Sequence, residues 1–265
     1  MKYKLKYTRF NEHSILIEWP SIIDENTLND VLNFKNLLLN NYVKVKVDVI
    51  NTYNSILINY ELTIEDIYSE FLYLKTLYFN SEEQSLVKSK IWEVPVCYDE
   101  EFGMDLNSFS TENSMSKSEI IQHHCQPIYT IYFIGFLPGF LYLGGLKESL
   151  YLNRKSIPNL DVKKGAVGIG GNQTGIYPQN SPGGWHIIGN SPINFFKKDN
   201  DNPCFAKAGD KIKFLPVSKE EYNSILNLVE SNSYEPKSIS LLMSENRSKL
   251  FPSIAIILSP VSKPS

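Results

Sequence analysis

Charge is missing where this chain of 265 residues is richest in glycine. From Gly165 through Phe196 there is no Asp, Glu, Lys or Arg. Any chemistry there rests on amides, hydroxyls and main-chain N–H groups, and a strong acid or base has to come from elsewhere. Cysteine is scarce too. Cys97, Cys125 and Cys204 lie far apart, which excludes a disulfide framework and a zinc spacing and points to a reducing cytosol. Long apolar runs are lacking: Ile254 to Leu258 is far too short to cross a bilayer. The opening MKYKLKYTRF interleaves lysine with apolar residues where a signal peptide needs an unbroken apolar core. With a formal net charge of -3 and scattered lysines, no electrostatic footprint for nucleic acid exists. Repeats and low-complexity tracts are absent. What remains, 42% apolar and 21% charged, is the composition of a soluble globular protein, expected in the cytoplasm with neither nucleic acid nor membrane as partner. The length suits one large or two modest domains.

Taken in order, residues 1 to about 85 read as a small α+β domain. Tyr3–Thr8 and Ser14–Trp19 are strand candidates around a polar turn at Asn11–Glu12. Asp24 can cap a helix over Glu25–Asn40, where Leu28, Val31, Leu32, Leu38 and Leu39 recur at helical spacing. Val43, Val45, Val47 and Val49 alternate with polar residues as in a half-buried strand, and Ser55–Tyr60 is another. Ile64–Leu77 reads as a second helix, and the whole suggests a ferredoxin-like arrangement. The polar run Asn80–Lys90 marks a boundary. Ile91–Tyr98 returns to strand pattern, and Ser116 with Glu119 forms a capping-box pattern opening a helix that carries His123 and His124. Neighbouring helix residues point about 100° apart, so this pair does not make a metal site. Pro127–Phe133, Val167–Ile169, Trp185–Ile188 and Ile212–Phe214 read as strands separated by Gly, Pro and Asn turns, which fits a β-barrel with long loops over 86–229. Lys219–Val229 reads as a helix. Residues 230–265 are a Ser- and Pro-punctuated extension with an edge strand at Ser253–Leu258.

Twelve of the fourteen glycines fall between Gly135 and Gly189. Glycine is worth its backbone entropy where φ is positive or main chains approach closely, so this stretch reads as a binding surface built from backbone. It is not a known phosphate loop. Gly170 to Gly175 is followed by Ile176 rather than Lys, and the run from Gly168 meets Gln173 where a dinucleotide fingerprint needs glycine. Neither a nucleophile elbow nor a His-Glu-x-x-His helix occurs.

These residues resemble a family. Tyr132-Phe133-Ile134-Gly135-Phe136-Leu137-Pro138-Gly139-Phe140, Tyr142-Leu143-Gly144-Gly145-Leu146, Gly170-Gly171-Asn172-Gln173-Thr174-Gly175-Ile176-Tyr177-Pro178 and Ser181-Pro182-Gly183-Gly184-Trp185 are similar to the family of 5-oxoprolinase B subunits. That family is also called allophanate hydrolase subunit 1 and includes an inhibitor of a sporulation histidine kinase. Val94–Tyr98, His124, Ala208-Gly209-Asp210 and Phe214-Leu215-Pro216 extend the resemblance, and Tyr53-x-Ser55-x-Leu57 is its best match in the first 85 residues.

The resemblance implies a cyclophilin-like β-barrel behind the α+β domain. It also implies an ATP-dependent hydrolysis of 5-oxoproline to glutamate by a two- or three-component enzyme, in which this chain pairs with a homologous C-type subunit, with or without an A-type subunit. ATP and a divalent metal would be bound in the complex, and the isolated chain is expected to be inactive. The other reading is a regulatory module that binds a histidine kinase, or one component of an allophanate- or urea-type amide hydrolase. His124 and His186 are the acid–base candidates. Binding falls to Gly135, Phe136, Pro138, Gly139, Arg154, Gly170, Gly171, Asn172, Gln173, Thr174, Tyr177, Pro182, Gly183, Gly184 and Trp185. The family's two Pro-Arg pairs appear here as Asn153-Arg154 and Pro158-Asn159, so one arginine is gone, with Lys163 and Lys164 as possible stand-ins.

Overall fold

A computed structural model describes residues 2–41, 47–81 and 89–240. The expected strand residues 43–46, the heart of the expected boundary at 82–88 and the expected strand at 253–258 lie outside them.

The first part of the chain runs β1 (Lys6–Asn11), β2 (Ser14–Glu18), α1 (Glu25–Asn41), β3 (Val47–Asn51), β4 (Ser55–Tyr60) and α2 (Ile67–Asn80). Its strands form an antiparallel sheet in the order β1-β2-β4-β3. Alternation sends Ile15, Ile17, Ile56 and Ile58 inward, where they meet Val31, Phe34 and Leu38 of α1 and Leu74 and Tyr78 of α2. Burying each such side chain stabilises by roughly 1.5–3 kcal/mol. Asp24 accepts from Thr27 N at 2.7 Å and so caps α1. The order ββαββα is not the ferredoxin-like βαββαβ. The reason is local: Asn11 Oδ1 accepts from His13 N at 2.8 Å, which tightens the turn and pairs β1 directly with β2, leaving no crossover helix between them.

The second part runs β5 (Lys90–Val96), α3 (Leu106–Glu112), α4 (Lys117–Cys125), β6 (Tyr129–Ile134), β7 (Leu141–Gly144), a 3-10 turn (Glu148–Leu150), β8 (Asn159–Val162), β9 (Ala166–Gly170), β10 (Gln173–Ile176), β11 (Ser181–Gly183), β12 (His186–Asn190), β13 (Lys211–Pro216), α5 (Lys219–Glu230) and β14 (Ser238–Ser240). The capping box at Ser116 and Glu119 is present. Among the described residues one mixed sheet has the order β12-β9-β10-β7-β6-β13-β5-β14, with β13 and β5 parallel, and β8 pairs with β11 in a separate ribbon.

The expected closed barrel is not what forms. Past the end of β5, Cys97 and Asn190 exchange two N–H···O bonds of 2.9 Å, an isolated bridge between opposite ends of the sheet. The approach needs Gly189, because a Cβ there would sit 2.7 Å from the Cys97 carbonyl oxygen. Further back along β5, the same edge is taken by β14, which pairs Ser238 with Trp92 and Ile239 with Ile91. One strand edge accepts one partner at each position, so β14 holds the place a closing ladder would need. Residues 238–240 of the C-terminal extension are thus an edge strand.

The inner face of the curled sheet carries Val94, Val96, Ile131, Leu141, Leu143, Val167, Ile169, Ile176, Ile188 and Phe214, covered by Leu106 and Phe109 of α3 and Ile120 of α4. The two sheets are joined by Leu28 and Leu32 packing on Tyr132, by Asn51 Nδ2 donating to Tyr132 O at 3.1 Å, and by Thr130 Oγ1 donating to Glu25 at 2.6 Å. Among the described residues no helix is long and apolar enough to cross a membrane.

Candidate functional site

Period-2 alternation explains the glycines. On β7, β9, β10 and β12 the inward residues are Leu141, Leu143, Val167, Ile169, Thr174, Ile176 and Ile188, and Gly144, Gly168, Gly170, Gly175 and Gly189 alternate with them. At Gly144, Gly170 and Gly175 the space a side chain would take is occupied by aromatic rings, and at Gly189 by the Cys97 main chain. A Cβ on Gly144 would stand 2.4 Å from the Tyr132 ring, and one on Gly170 2.4 Å from Trp185 Cδ1. One on Gly175 would meet both Leu141 O, at 2.8 Å, and the Trp185 ring, at 2.9 Å. Likewise Gly183 lies against the Tyr177 hydroxyl. The glycines therefore seat aromatic rings rather than leave a bare backbone surface. Gly170-Gly171-Asn172-Gln173 is a two-residue hairpin turn between β9 and β10, with Gly171 at φ +68.

Trp185, buried at the centre of this face, meets Phe140, Tyr142 and Tyr177 edge-on. Over its ring lies Arg154, with the guanidinium carbon 5.7 Å from the ring centre. Four ties hold the segment that carries Arg154. Leu152 and Gly171 exchange backbone hydrogen bonds of 3.2 and 2.7 Å, and Lys155 N donates to Gly184 O at 2.8 Å. His186 Nε2 is 2.9 Å from Asn153 O, a contact in which the ring N–H donates to the carbonyl. Lys155 Nζ donates to Asp105 Oδ1 at 2.7 Å. Gly171 and Gly184 thus spend their backbone groups on positioning Arg154.

Asp105 precedes α3 and exchanges hydrogen bonds with Ile187: its Oδ2 accepts from Ile187 N at 2.8 Å and its own N donates to Ile187 O at 2.9 Å. Asp105, Glu112, Asn153, Arg154, Lys155, Ser156, Ile157 and His186 line an open cleft of about 540 Å³. Met104, Ile157 and Leu160, all strongly exposed, stand nearby, and Asn159 Nδ2 donates to Met104 Sδ at 3.2 Å. Asp105 and Lys155 supply the charge that the glycine stretch lacks. Nothing in the sequence pairs them, since 50 positions separate them.

His124 is elsewhere. It is fully buried on the inner face, stacked on Phe214 with ring centres 4.5 Å apart. Thr174 Oγ1 gives its proton to Gly168 O at 2.9 Å, so it accepts from His124 Nε2–H, also at 2.9 Å. His124 Nδ1 then accepts from Tyr98 O–H at 2.8 Å, and Cys125 Sγ lies 3.3 Å beyond that oxygen. Burial lowers the His124 pKa to about 3, so the ring is neutral. Both nitrogens are committed and no atom is exposed, so the expected acid–base candidate sits enclosed on the inner face, away from the cleft. Thr174 belongs to the same interior chain rather than to the outer face.

The remaining expected residues divide. Gln173 donates its side-chain amide to the Tyr53 hydroxyl, which brings the first sheet to the aromatic face. Burial raises the Tyr53, Tyr142 and Tyr177 phenols, Tyr177 to about 12, and the charge of Arg154 acts on each in the opposite sense. Asn172 and Pro182 are exposed. Gly135, Phe136, Pro138 and Gly139 belong to the β6–β7 turn, where exposed Phe136 has φ +67 and its ring lies edge-on to Phe140, 5.7 Å between centres. Lys163 pairs with Asp161 and Lys164 with Asn194, so neither replaces the arginine missing at Asn159.

At the tip of the β9–β10 hairpin one main-chain donor is already used. Gly171 N is spent on Leu152 O. Among the described residues no three His, Cys, Asp or Glu gather to hold a metal ion.

Comparison with known proteins supplies the wider frame. Residues 5–206 match the family described as carboxyltransferase domain, subdomain C and D. The B subunit of 5-oxoprolinase from Bacillus subtilis is 41% identical over 138 residues, 52% of this chain and 58% of that protein. Its counterpart from Haemophilus influenzae, also a 5-oxoprolinase B subunit, is 48% identical over 123 residues, 46% of this chain and 58% of that protein. The match therefore spans little more than half the length of either relative. In structure, the urea amidolyase of K. lactis aligns with 90% of this chain and 16% of its own, with a TM-score of 0.75 at 17% identity, a likeness of fold.

Proposed function

This chain belongs to the family of carboxyltransferase domains, subdomains C and D, and from that premise we propose that it is the B-type subunit of an amide hydrolase. The substrate would be a small cyclic amide, 5-oxoproline, opened to glutamate at the expense of ATP. The names and sequences of the two bacterial relatives support the substrate. The sheet fold would be the cyclophilin-like one of the family, split where β14 enters, with the α+β unit of residues 1–85 as a separate domain in front of it.

One observation carries the reading: the Arg154 segment is held by four ties at the mouth of an open cleft that also contains His186 and the Asp105–Lys155 pair. Fixed polar groups beside a rigid aromatic platform are what positioning of a small substrate requires. His186 acts here as a positioning residue, because its ring fixes the carbonyl next to Arg154. The cleft is one half of a site. Among the described residues no three His, Cys, Asp or Glu gather to hold a metal ion, and the reading assigns ATP and a divalent metal to a homologous C-type subunit, with an A-type partner completing hydrolysis. Exposed Met104, Ile157 and Leu160 beside the cleft suit burial by such a partner.

Co-expression with candidate C-type and A-type subunits, followed by purification and an assay for glutamate release from 5-oxoproline, tests the reading. ATP-dependent release by the complex and none by this chain alone is expected. Turnover by the chain alone would overturn the half-site, and capture of a histidine kinase in place of the C-type partner would favour the regulatory module.

A further inference from the structure

A second pocket, of about 410 Å³, opens where the chain leaving β12 meets the C-terminal half of α5. It shares no lining residue with the Arg154 cleft. Hydrogen bonds fix its walls. Asn190 Nδ2 donates to Lys164 O at 2.9 Å, Tyr222 O–H donates to Asn190 Oδ1 at 2.9 Å, and Ser191 N donates to Gly165 O at 2.8 Å. The end of β12, the turn between β8 and β9, and α5 are thereby held together. From α5 the pocket takes Tyr222, Leu226, Val229 and Glu230, which recur at i, i+4, i+7 and i+8 on one stripe of the helix.

Two features of the lining ask for a ligand. Ser191 is buried, and its hydroxyl has no hydrogen-bond partner among the described residues. A buried hydroxyl left without a partner is costly, and a serine side chain turns about one bond to meet a group brought to it. The second feature is a separation of charge. Lys164 and Glu230 line the same pocket, yet Lys164 Nζ donates to Asn194 Oδ1, at 2.5 Å, instead of pairing with the carboxylate. Glu230 is exposed at the last residue of α5, where the carbonyl end of the helix adds negative potential.

We propose that this pocket binds a free α-amino acid with an apolar side chain. Its carboxylate would meet Lys164, with the Asn194 amide and the Ser191 hydroxyl as neutral donors. Its ammonium group would meet Glu230 and the C-terminal end of α5, and its side chain would lie on Leu226, Val229 and Pro192. One cation and one anion held apart match a zwitterion, whereas a simple anion or a simple amine leaves one of them unanswered. A phosphate group would face Glu230 and the negative end of the helix. 5-Oxoproline has no ammonium group, and glutamate brings a second carboxylate to an apolar wall. The inference therefore stands apart from the hydrolase reading.

Amide NMR of the isotope-labelled full-length chain, titrated with L-leucine as the probe, tests it. Saturable shifts are expected at Ser191, Ile193, Asn194 and Asn232. Isocaproate, which is leucine without its ammonium group, and isoamylamine, which is leucine without its carboxylate, are expected to give none at the same concentrations. Lys164→Ala and Glu230→Ala, both at exposed side chains, should each weaken leucine binding about tenfold. Ser191→Ala should weaken it too while leaving the urea midpoint unchanged, because the hydroxyl has no protein partner to lose. Absence of saturable shifts with leucine, equal binding of isocaproate or isoamylamine, or leucine binding that survives both Lys164→Ala and Glu230→Ala overturns the proposal. So do shifts that map to Asn153 and His186 of the cleft in place of this pocket.

Discussion

The guanidinium carbon of Arg154 lies 5.7 Å from the centre of the Trp185 ring, and that ring lies where a side chain on Gly170 would have to be. Sheet, indole and guanidinium are stacked, so the position of the cation depends on glycines that never touch it. In the assembled complex, Arg154→Gln is expected to raise KM for 5-oxoproline about 100-fold with a smaller change in kcat, the loss of one charge-assisted bidentate contact of roughly 2–3 kcal/mol. Arg154→Lys is expected to recover only part, because a point charge does not reproduce the fork. Equal kinetics for Lys and Arg would refute the bidentate contact.

Gly170→Ala places a methyl group 2.4 Å from Trp185 Cδ1. Overpacking of this kind costs about 2 kcal/mol and forces the indole off the sheet. Urea unfolding should show the loss, and phenylglyoxal labelling of Arg154 should accelerate as its platform moves. Unchanged stability and labelling would mean that the ring is not seated on the glycine.

The Asp105–Lys155 pair is partly buried, its side chains 13% and 27% exposed, so solvent moderates it. A double-mutant cycle with Asp105→Ala and Lys155→Ala is expected to give a coupling of about 1 kcal/mol. Asp105→Ala alone should cost more, about 2 kcal/mol, because the Ile187 N–H loses its acceptor. A single-mutant cost no larger than the coupling would contradict that second role.

His124 should make the fold acid-sensitive. Its native pKa is about 3, below the unfolded value of 6.5, so the unfolded chain binds the extra proton first. Stability is therefore unaffected by this group above pH 7 and falls as the pH drops from 6.5 towards 3, by about 1.4 kcal/mol per unit. At pH 5 the loss is about 2 kcal/mol. Urea midpoints across pH 5 to 7 for the native chain and His124→Gln should differ in slope by that one proton; parallel curves would rule the mechanism out.

Asp210 is buried and accepts from Lys90 N at 3.0 Å, Trp92 Nε1 at 2.9 Å and Lys207 N at 3.2 Å, which ties the start of β5 to the turn before β13. Asp210→Ala strands three donors and is expected to cost about 3 kcal/mol in thermal or urea unfolding. A cost below about 1 kcal/mol would show that water replaces the carboxylate.

The sequence by itself determined most of the local structure. Alternation in Ser55–Tyr60 and the capping pair Ser116 and Glu119 specify their elements because both signals lie within a few residues. The motifs from Tyr132 to Trp185 were enough to identify the family. Tertiary structure decided what those motifs are for. The glycines looked like a loop that binds a ligand with bare backbone, yet they alternate with core residues on strands, and only the folded sheet shows rings lying on them. His124 and His186 were indistinguishable as acid–base candidates until one was placed inside the curl of the sheet and the other beside the cleft. The barrel stayed open because β14 holds part of the edge of β5, a competition for one row of backbone donors and acceptors between residues about 150 apart (Trp92 and Ser238). Asp105 and Lys155 gave no signal at all, since a contact across 50 residues depends on where the chain returns rather than on any local pattern.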